Sequence, residues 1–544
     1  MFAQSSYTVF GTKNTPCRIV FLLTLALYLV AIPFSRFMMS LAGVILAVNW
    51  LLESFLEKKL WQKLVQAAKS KILLGVLLIY LVHILWFISS KNTTYAFQDI
   101  WIKVPLLFIP IIFYTSKPLN RKEIHFLLFI YVIGVLFSSF FGFFTYLHHA
   151  FDDKRTMAVY ISYVRLELNF CFAIFISFYL LLQDSCLSFL RKQESLATKR
   201  LWVKPAMTLF TLFALIWFLF LMIYAGLVTG IVLLFVISFV LTVRAVVKQK
   251  KSLIRYVLST IFLLAAGGFF LFVSITAKNY FTAPPFDSKK IEYTADGNAY
   301  ASDFDKRYVE NGNYVFAYLC DLEVREAWNK RSAIDYEELS NTLIRYLNSK
   351  GLRKDRLAVE SLTTEEITTI ENGIANIAYT TDFSIIKRIY ELFWEINDYR
   401  QTGSVVGYTF PQRLELWKVS LSAIKKHPLL GVGTGDVKDA FAKELEEKDS
   451  PLAFTNKRSH NQYFTFLIAF GIIGLGLILF SIIYPVIVFN KFKDPLFLIF
   501  FLIIILSMFT EDSLEPQDGV TFFAFFYSFF LFLDSEKPLI MNEV

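Results

Sequence analysis

The chain has 544 residues, 56% of them hydrophobic and 17% aromatic, and a formal net charge of +9. A mean hydropathy of +0.52 excludes an ordinary soluble protein, because several apolar runs approach the roughly 20 residues a helix needs to cross a bilayer. Many of these runs hold Leu, Ile and Phe without period-two alternation, which points to helices and excludes a transmembrane barrel.

About twelve candidate spans follow in chain order, centred near Leu25, Ala42, Leu78, Phe108, Gly134, Ile174, Leu215, Leu234, Leu264, Leu475, Ile503 and Phe526. Only Pro33 to Arg36 separates the first two, so they should form a tight hairpin, and only Gly226 separates the seventh from the eighth. The first run lacks a small-residue cleavage site and reads as a retained signal anchor. Lys58, Lys59, Lys63, Arg191, Lys192, Lys199, Arg200, Arg244, Lys248, Lys250 and Lys251 crowd one set of short connections, which assigns that set and both termini to the cytoplasm. The excess positive charge therefore belongs to the membrane flanks beside anionic lipid and gives no indication of nucleic acid. The expected architecture is an all-α polytopic membrane protein. Residues 1–276 hold spans one to nine, 277–459 form a large helical region on the outer side, and 460–544 hold spans ten to twelve. Cys17, Cys171 and Cys186 lie at or in spans, which leaves Cys320 alone outside and no disulfide within the outer region.

That region opens irregularly from Ala283-Pro284-Pro285 to about Phe304, with a turn at Asp296-Gly297-Asn298. From Asn313 the pattern is helical. Val324, Trp328, Ile334, Leu339, Leu343, Ile344 and Leu347 carry a helix from Glu323 to Asn348, which Lys350-Gly351 stops. Thr363 and Glu366 have capping-box spacing at the next helix start, and further helix runs from Phe383 to Tyr399, ending near Thr402-Gly403. Pro411 fits the first turn of a helix whose Leu414, Trp417, Leu421 and Ile424 make one apolar stripe, with Arg413 beside it. Pro428 ends that helix. Gly431-Val432-Gly433-Thr434-Gly435-Asp436 then makes a turn before a helical run from Val437 to Glu447. Simple turn chemistry is the bland reading of these glycines, and presentation of backbone amides to a phosphate the functional one. The turn is not a P-loop, since no Gly-Lys-Ser/Thr follows.

Three separate spans bring ionisable groups to the outer membrane face. Arg165 stands a few residues inside the sixth span, where an arginine needs a local partner such as Glu167, a route to the headgroups, or an anionic ligand. Arg458 and His460, with Tyr463 following, sit where the outer region meets the tenth span. They are either interfacial anchors or the rim of a site. Glu511 and Glu515 follow the eleventh span at i, i+4 spacing, which sets them on one helix face rather than across a substrate. His148, His149, Asp152 and Asp153 resemble a metal cluster on paper, but adjacent histidines in an outer loop are more often interfacial.

Arg413 with Trp417 leading into HPLLGVGTGD, the Ser459-His460-Asn461-Gln462-Tyr463 junction, and TEDSLEPQDGVTFFAFFYS at the last two spans resemble the O-antigen ligase and polymerase superfamily of bacterial inner-membrane glycosyltransferases. The resemblance implies a GT-C-like enzyme that moves a glycan from an undecaprenyl diphosphate carrier to an acceptor hydroxyl at the periplasmic face, without metal or other cofactor. His460 matches the essential histidine, Arg413 the arginine of the large loop and Arg165 the arginine of a central span. Arg458 joins the arginines as a diphosphate ligand, and Tyr463, Glu511 and Glu515 are assigned supporting roles. A glycosyl diphosphate already carries a good leaving group, so arginines to neutralise phosphate and a histidine base suffice in principle, with inversion at the anomeric carbon. A ligase acting on lipid A-core, a polymerase joining repeat units and a protein O-oligosaccharyltransferase share this donor and differ in acceptor. A lipid-linked sugar transporter would instead call for polar residues at span midpoints and broken, internally repeated helices. The helices from about Asn313 to Tyr399 have no role under the resemblance.

Overall fold

The computed structural model describes residues 16–149, 154–190, 203–248, 252–285, 291–302, 308–381, 384–455 and 457–533. Asp152 and Asp153, the basic cluster at 191–200, Lys250, Lys251 and both termini lie outside the described residues.

Eight helices among the described residues are long and apolar enough to cross a membrane. A ninth candidate is the pair Leu60–Lys69 and Lys71–Leu85, bent by 81°, and Pro16–Ala31, Pro495–Ser507 and Gln517–Leu533 are shorter apolar helices. Each of the twelve expected centres falls inside one of these elements, so the all-α polytopic class stands, with eight or nine full-length candidate spans among the described residues. The first hairpin is present, with Ser35 capping Arg36–Leu56 directly after Pro16–Ala31. The break at Gly226 is present too, at φ 65°.

The chain forms two compact units. The first comprises Met1–Met222, Thr229–Ser238 and Glu415–Val544. Its centre is the last helix, Gln517–Ser528, with a π-helical extension Phe529–Leu533; every residue from Asp518 to Leu533 is buried. A helix apolar on all sides has no polar face to give to water and settles inside. Phe172 from Tyr163–Leu190 meets Phe526 edge-on at 4.9 Å, and Phe500, Phe522 and Phe530 complete that aromatic core.

Also in this unit, Gln462–Val488 packs along Lys71–Leu85 and is interrupted at Gly471, whose φ of 61° and ψ of −168° are open essentially to glycine alone. The Pro428–Gly433 turn fills the interruption. Val432 N and Gly433 N donate to Ile468 O and Ala469 O, both at 2.9 Å, while Ile472 N and Ile473 N donate to Pro428 O and Leu429 O at 2.9 and 3.3 Å. A broken helix within lipid is tolerated only where other protein satisfies its backbone, and the turn does so here.

The second unit, Ile223–Val228 with Phe239–Leu414, holds the helical subdomain. It departs from the sequence pattern in two ways. Val309–Glu310 and Asn313–Tyr314 form a two-stranded hairpin through Asn311-Gly312, both at positive φ, so helix begins only at Asp321. The expected Glu323–Asn348 helix is two, Asp321–Asn329 and Tyr336–Ser349, because Asp335 caps the second through the Glu337 amide. Gly351 ends the second at φ 73°, and the Thr363–Glu366 capping box is complete. Trp328, Leu343, Leu347, Val359 and Ile370 form the buried core.

The helix Phe410–Lys426 starts with Pro411 as expected, but its buried stripe is Leu416, Val419, Ser420 and Ala423, while Leu421 is 47% exposed. Both stripes have helical spacing, and the smaller side chains take the closely packed face.

Candidate functional site

The connection between Pro495–Ser507 and Gln517–Ser528 is a loop, not a helix, so Glu511 and Glu515 do not share a helix face. This loop wraps the start of Gln462–Val488. Gln462 N donates to Met508 O at 2.9 Å, Asn461 Nδ2 to Phe509 O at 3.1 Å, and Leu514 N to Gln462 Oε1 at 2.6 Å. Asn461 caps the helix by accepting from the Tyr463 and Phe464 amides.

His460, immediately before that cap, is held at φ 47°, a left-handed conformation that costs a non-glycine residue on the order of 1–3 kcal/mol and persists where its surroundings impose it. Its Nδ1 lies 3.5 Å from Glu511 Oε2, with the imidazole 36% exposed and the carboxylate 13%. A carboxylate on Nδ1 favours the proton there and leaves Nε2 as the basic nitrogen.

Arg165 is 6% exposed. Its Nη2 donates to Asp512 O at 3.0 Å and its Nε stands 3.9 Å from Asp518 Oδ1, yet neither Nε nor Nη1 has a hydrogen-bond partner. Arg36 reaches the other oxygen of Asp518 at 3.2 Å. Glu167, the partner suggested by spacing, accepts from the Gly230 amide. The Asp512 carboxylate takes the Thr465 hydroxyl at 2.6 Å and the Ser459 hydroxyl at 3.2 Å; burial raises its pKa above the ordinary value, and the Thr465 bond opposes that rise.

Arg458 turns to a different group. Its Nη2 donates to Tyr95 Oη at 2.6 Å and its Nη1 lies 3.4 Å from Glu515 Oε2. Glu515 also accepts from Gln462 at 3.0 Å and faces Lys103 at 3.5 Å, and Lys103 is paired with Asp99, which in turn meets His83 Nδ1 at 3.1 Å. His83, Tyr95, Asp99, Arg458 and Glu515 line a cavity that also touches Thr434 and Lys438. Asp99, Lys103 and His83 were not among the expected site residues. Their signal was a carboxylate and a lysine four residues apart inside the apolar Thr93–Thr115 stretch.

Tyr463 donates to Ile505 O at 2.9 Å and its ring lies against Phe509, so it braces two helices. The glycine-rich turn does not offer amides to an anion. Those of Gly431, Val432 and Gly433 bind backbone carbonyls, and Gly435 N binds Ser90 Oγ at 2.9 Å. Arg413 belongs to the second unit, in the first turn of Phe410–Lys426, and its amide donates to Thr409 O at 3.4 Å.

Residues 374–481 match the family described as O-antigen ligase, a stretch that contains Arg413, the glycine-rich turn, Arg458, His460 and Tyr463. This match supports membership of the O-antigen ligase superfamily. Members of this superfamily are membrane enzymes that act on lipid-linked glycans. No curated protein matches the chain. The superfamily match ends at 481 and leaves out Arg165 and the whole Glu511–Asp518 loop, so the contacts of that loop with His460 and Arg165 are structural findings independent of it.

Proposed function

We propose that this protein transfers a glycan from undecaprenyl diphosphate to a hydroxyl of lipid A-core at the periplasmic face of the bacterial inner membrane, both termini being cytoplasmic. The observation that carries the reading is Arg165, a buried guanidinium with two unsatisfied nitrogens that is bonded to the same loop whose Glu511 faces His460. A buried cation with spare donors suits the doubly charged leaving group of the donor.

His460 Nε2 takes the proton of the acceptor hydroxyl as its oxygen attacks the anomeric carbon. The bond from that carbon to the diphosphate oxygen breaks, and undecaprenyl diphosphate leaves with the electron pair. Attack opposite the leaving group inverts the anomeric configuration. Arg165 neutralises the charge that develops on the phosphates, and no step requires a metal. Arg458 exchanges its Glu515 contact for a phosphate oxygen. Arg413 contributes a third cation, an assignment that rests on the superfamily alone. Glu511 fixes the imidazole tautomer, and Glu515 and Tyr463 hold the surrounding elements in register.

The test is transfer by purified protein in chelator from an undecaprenyl diphosphate-linked glycan. One reaction contains lipid A-core and another only more donor. Glycan on lipid A-core supports the ligase; lengthened donor chains alone would make the protein a polymerase, and no product in either reaction contradicts the reading.

A further inference from the structure

We propose that the helical subdomain carries a second ligand site, a cleft that binds the uncharged sugar residues of a glycan. Its source, donor or acceptor, rests on the glycosyl-transfer reading; the cleft itself does not.

The cleft lies wholly within the second unit, between Tyr336–Ser349 and Ser384–Thr402, and has a volume of about 440 Å³. That is within the roughly 300–1,000 Å³ typical of small-molecule sites. One wall is aromatic: the Tyr308 and Trp394 rings stack at 5.5 Å and 24°, and Phe316 meets Tyr308 edge-on at 5.7 Å. Sugars set their C–H faces against such rings and their hydroxyls against planar amides and hydroxyls.

The polar wall has that character. Asn341, Thr342 and Gln401 bring neutral amide and hydroxyl groups to the cleft, and Asn341 and Gln401 are exposed. The charged members have hydrogen-bond partners within the protein. Arg345 binds both oxygens of Glu310 at 2.9 Å, with its guanidinium over the Trp394 ring, and Asp398 accepts the Tyr308 and Tyr408 hydroxyls at 2.7 and 2.8 Å. A lining whose arginine is already paired and whose Asp398 carboxylate would repel an anion disfavours phosphate and suits a polyol. The same bonds fix the aromatic rings before any ligand arrives, which lowers the ordering cost of binding.

The helices that build the cleft are those left without a role by the superfamily resemblance. Residues 308–345 precede the matched stretch and 394–408 lie within it. A subdomain that shapes a sugar-sized cleft is a means of selecting which glycan is transferred.

The experiment is saturation-transfer NMR on the full-length protein in detergent. The probes are two glycans released by mild acid from the lipopolysaccharide of the bacterium that encodes it, the core oligosaccharide and the O-polysaccharide. The expected result is saturation of one glycan, with signal reduced at least tenfold in Asn341→Ala/Gln401→Ala and in Thr342→Trp, which fills the cleft without touching an ion pair. His460→Ala should bind as wild type. Preference for O-polysaccharide makes the cleft a donor subsite, and preference for core an acceptor subsite. A protein that binds glycan at the cleft but transfers none would remove the proposed reaction and keep the cleft. No saturation of either glycan, or saturation unchanged in both variants at an unaltered melting temperature, would overturn the proposal.

Discussion

Replacing Gly471 by alanine tests the docking of the glycine-rich turn into the broken helix. An alanine Cβ at this position would stand 2.3 Å from the carbonyl carbon and oxygen of Leu429, both backbone atoms. Ordinary contact begins at 3.4 Å, so turn and helix would have to part by about 1 Å. The four backbone bonds that join them, at 2.9, 2.9, 2.9 and 3.3 Å, would then be stretched beyond hydrogen-bond range. At about 1 kcal/mol for each bond, with about 1–3 kcal/mol for alanine in a glycine-only conformation, the loss is on the order of 5 kcal/mol. At roughly 2 °C per kcal/mol for a protein of this size, that is about 10 °C of melting temperature. Gly476 in the same helix has nothing within 4 Å of a built Cβ, so Gly476→Ala is the control and should be neutral or slightly stabilising. The assay is thermal unfolding of both variants in the same detergent. A Gly471→Ala protein melting within about 2 °C of the control would refute the docked turn.

Glu511→Gln keeps the size of the side chain but removes the charge facing His460 Nδ1, and should lower kcat by about 10–100-fold with donor KM unchanged; steady-state transfer kinetics read the split. Lys103→Met should cost about 3–5 kcal/mol by stranding Asp99 and Glu515, whereas adding Asp99→Asn should restore part of the loss; chemical denaturation of the single and double variants decides it. In the second unit, burial pushes the Lys354 ammonium down to about 7, although its Nζ donates to Tyr314 O, Ala317 O and Asn348 Oδ1. Below about 7 both folded and unfolded states hold this proton; between 7 and the unfolded value the unfolded state holds more, so stability rises with pH over that window. Melting from pH 6.5 to 9 should therefore rise more steeply in wild type than in Lys354→Met, and equal slopes would contradict the assignment.

The spans were legible because lipid demands long apolar runs, and every such run is helical. Caps were legible for a related reason: Thr363 with Glu366, Gly351 and Pro411 act on neighbours within one turn. What sequence could not supply was the choice between equivalent local solutions. On Phe410–Lys426 two stripes have the same spacing, and packing chose Leu416, Val419 and Ala423. Strands of two residues are too short for alternation to register, so Asn311-Gly312 was the sole sign of the hairpin. In the site, Arg165, His460 and Glu511 were visible as charges at one membrane face, but the pairing of Glu511 with His460 and the use of Asp518 between Arg36 and Arg165 join distant stretches of chain. The turn and the broken helix each displayed their glycines, and nothing local indicated that Gly431 and Gly471 allow two backbones to meet.

The central claim is a division of labour in which His460 moves the proton and Arg165 holds the diphosphate. Its most direct measurement compares His460→Ala and Arg165→Gln in two assays on the same preparations: transfer to lipid A-core in chelator, and equilibrium binding of undecaprenyl diphosphate. His460→Ala should lose about 10²–10⁴-fold in transfer with binding intact, and Arg165→Gln should lose binding affinity as well as transfer. A folded His460→Ala protein with wild-type transfer, or an Arg165→Gln protein that binds undecaprenyl diphosphate as wild type does, would contradict the account.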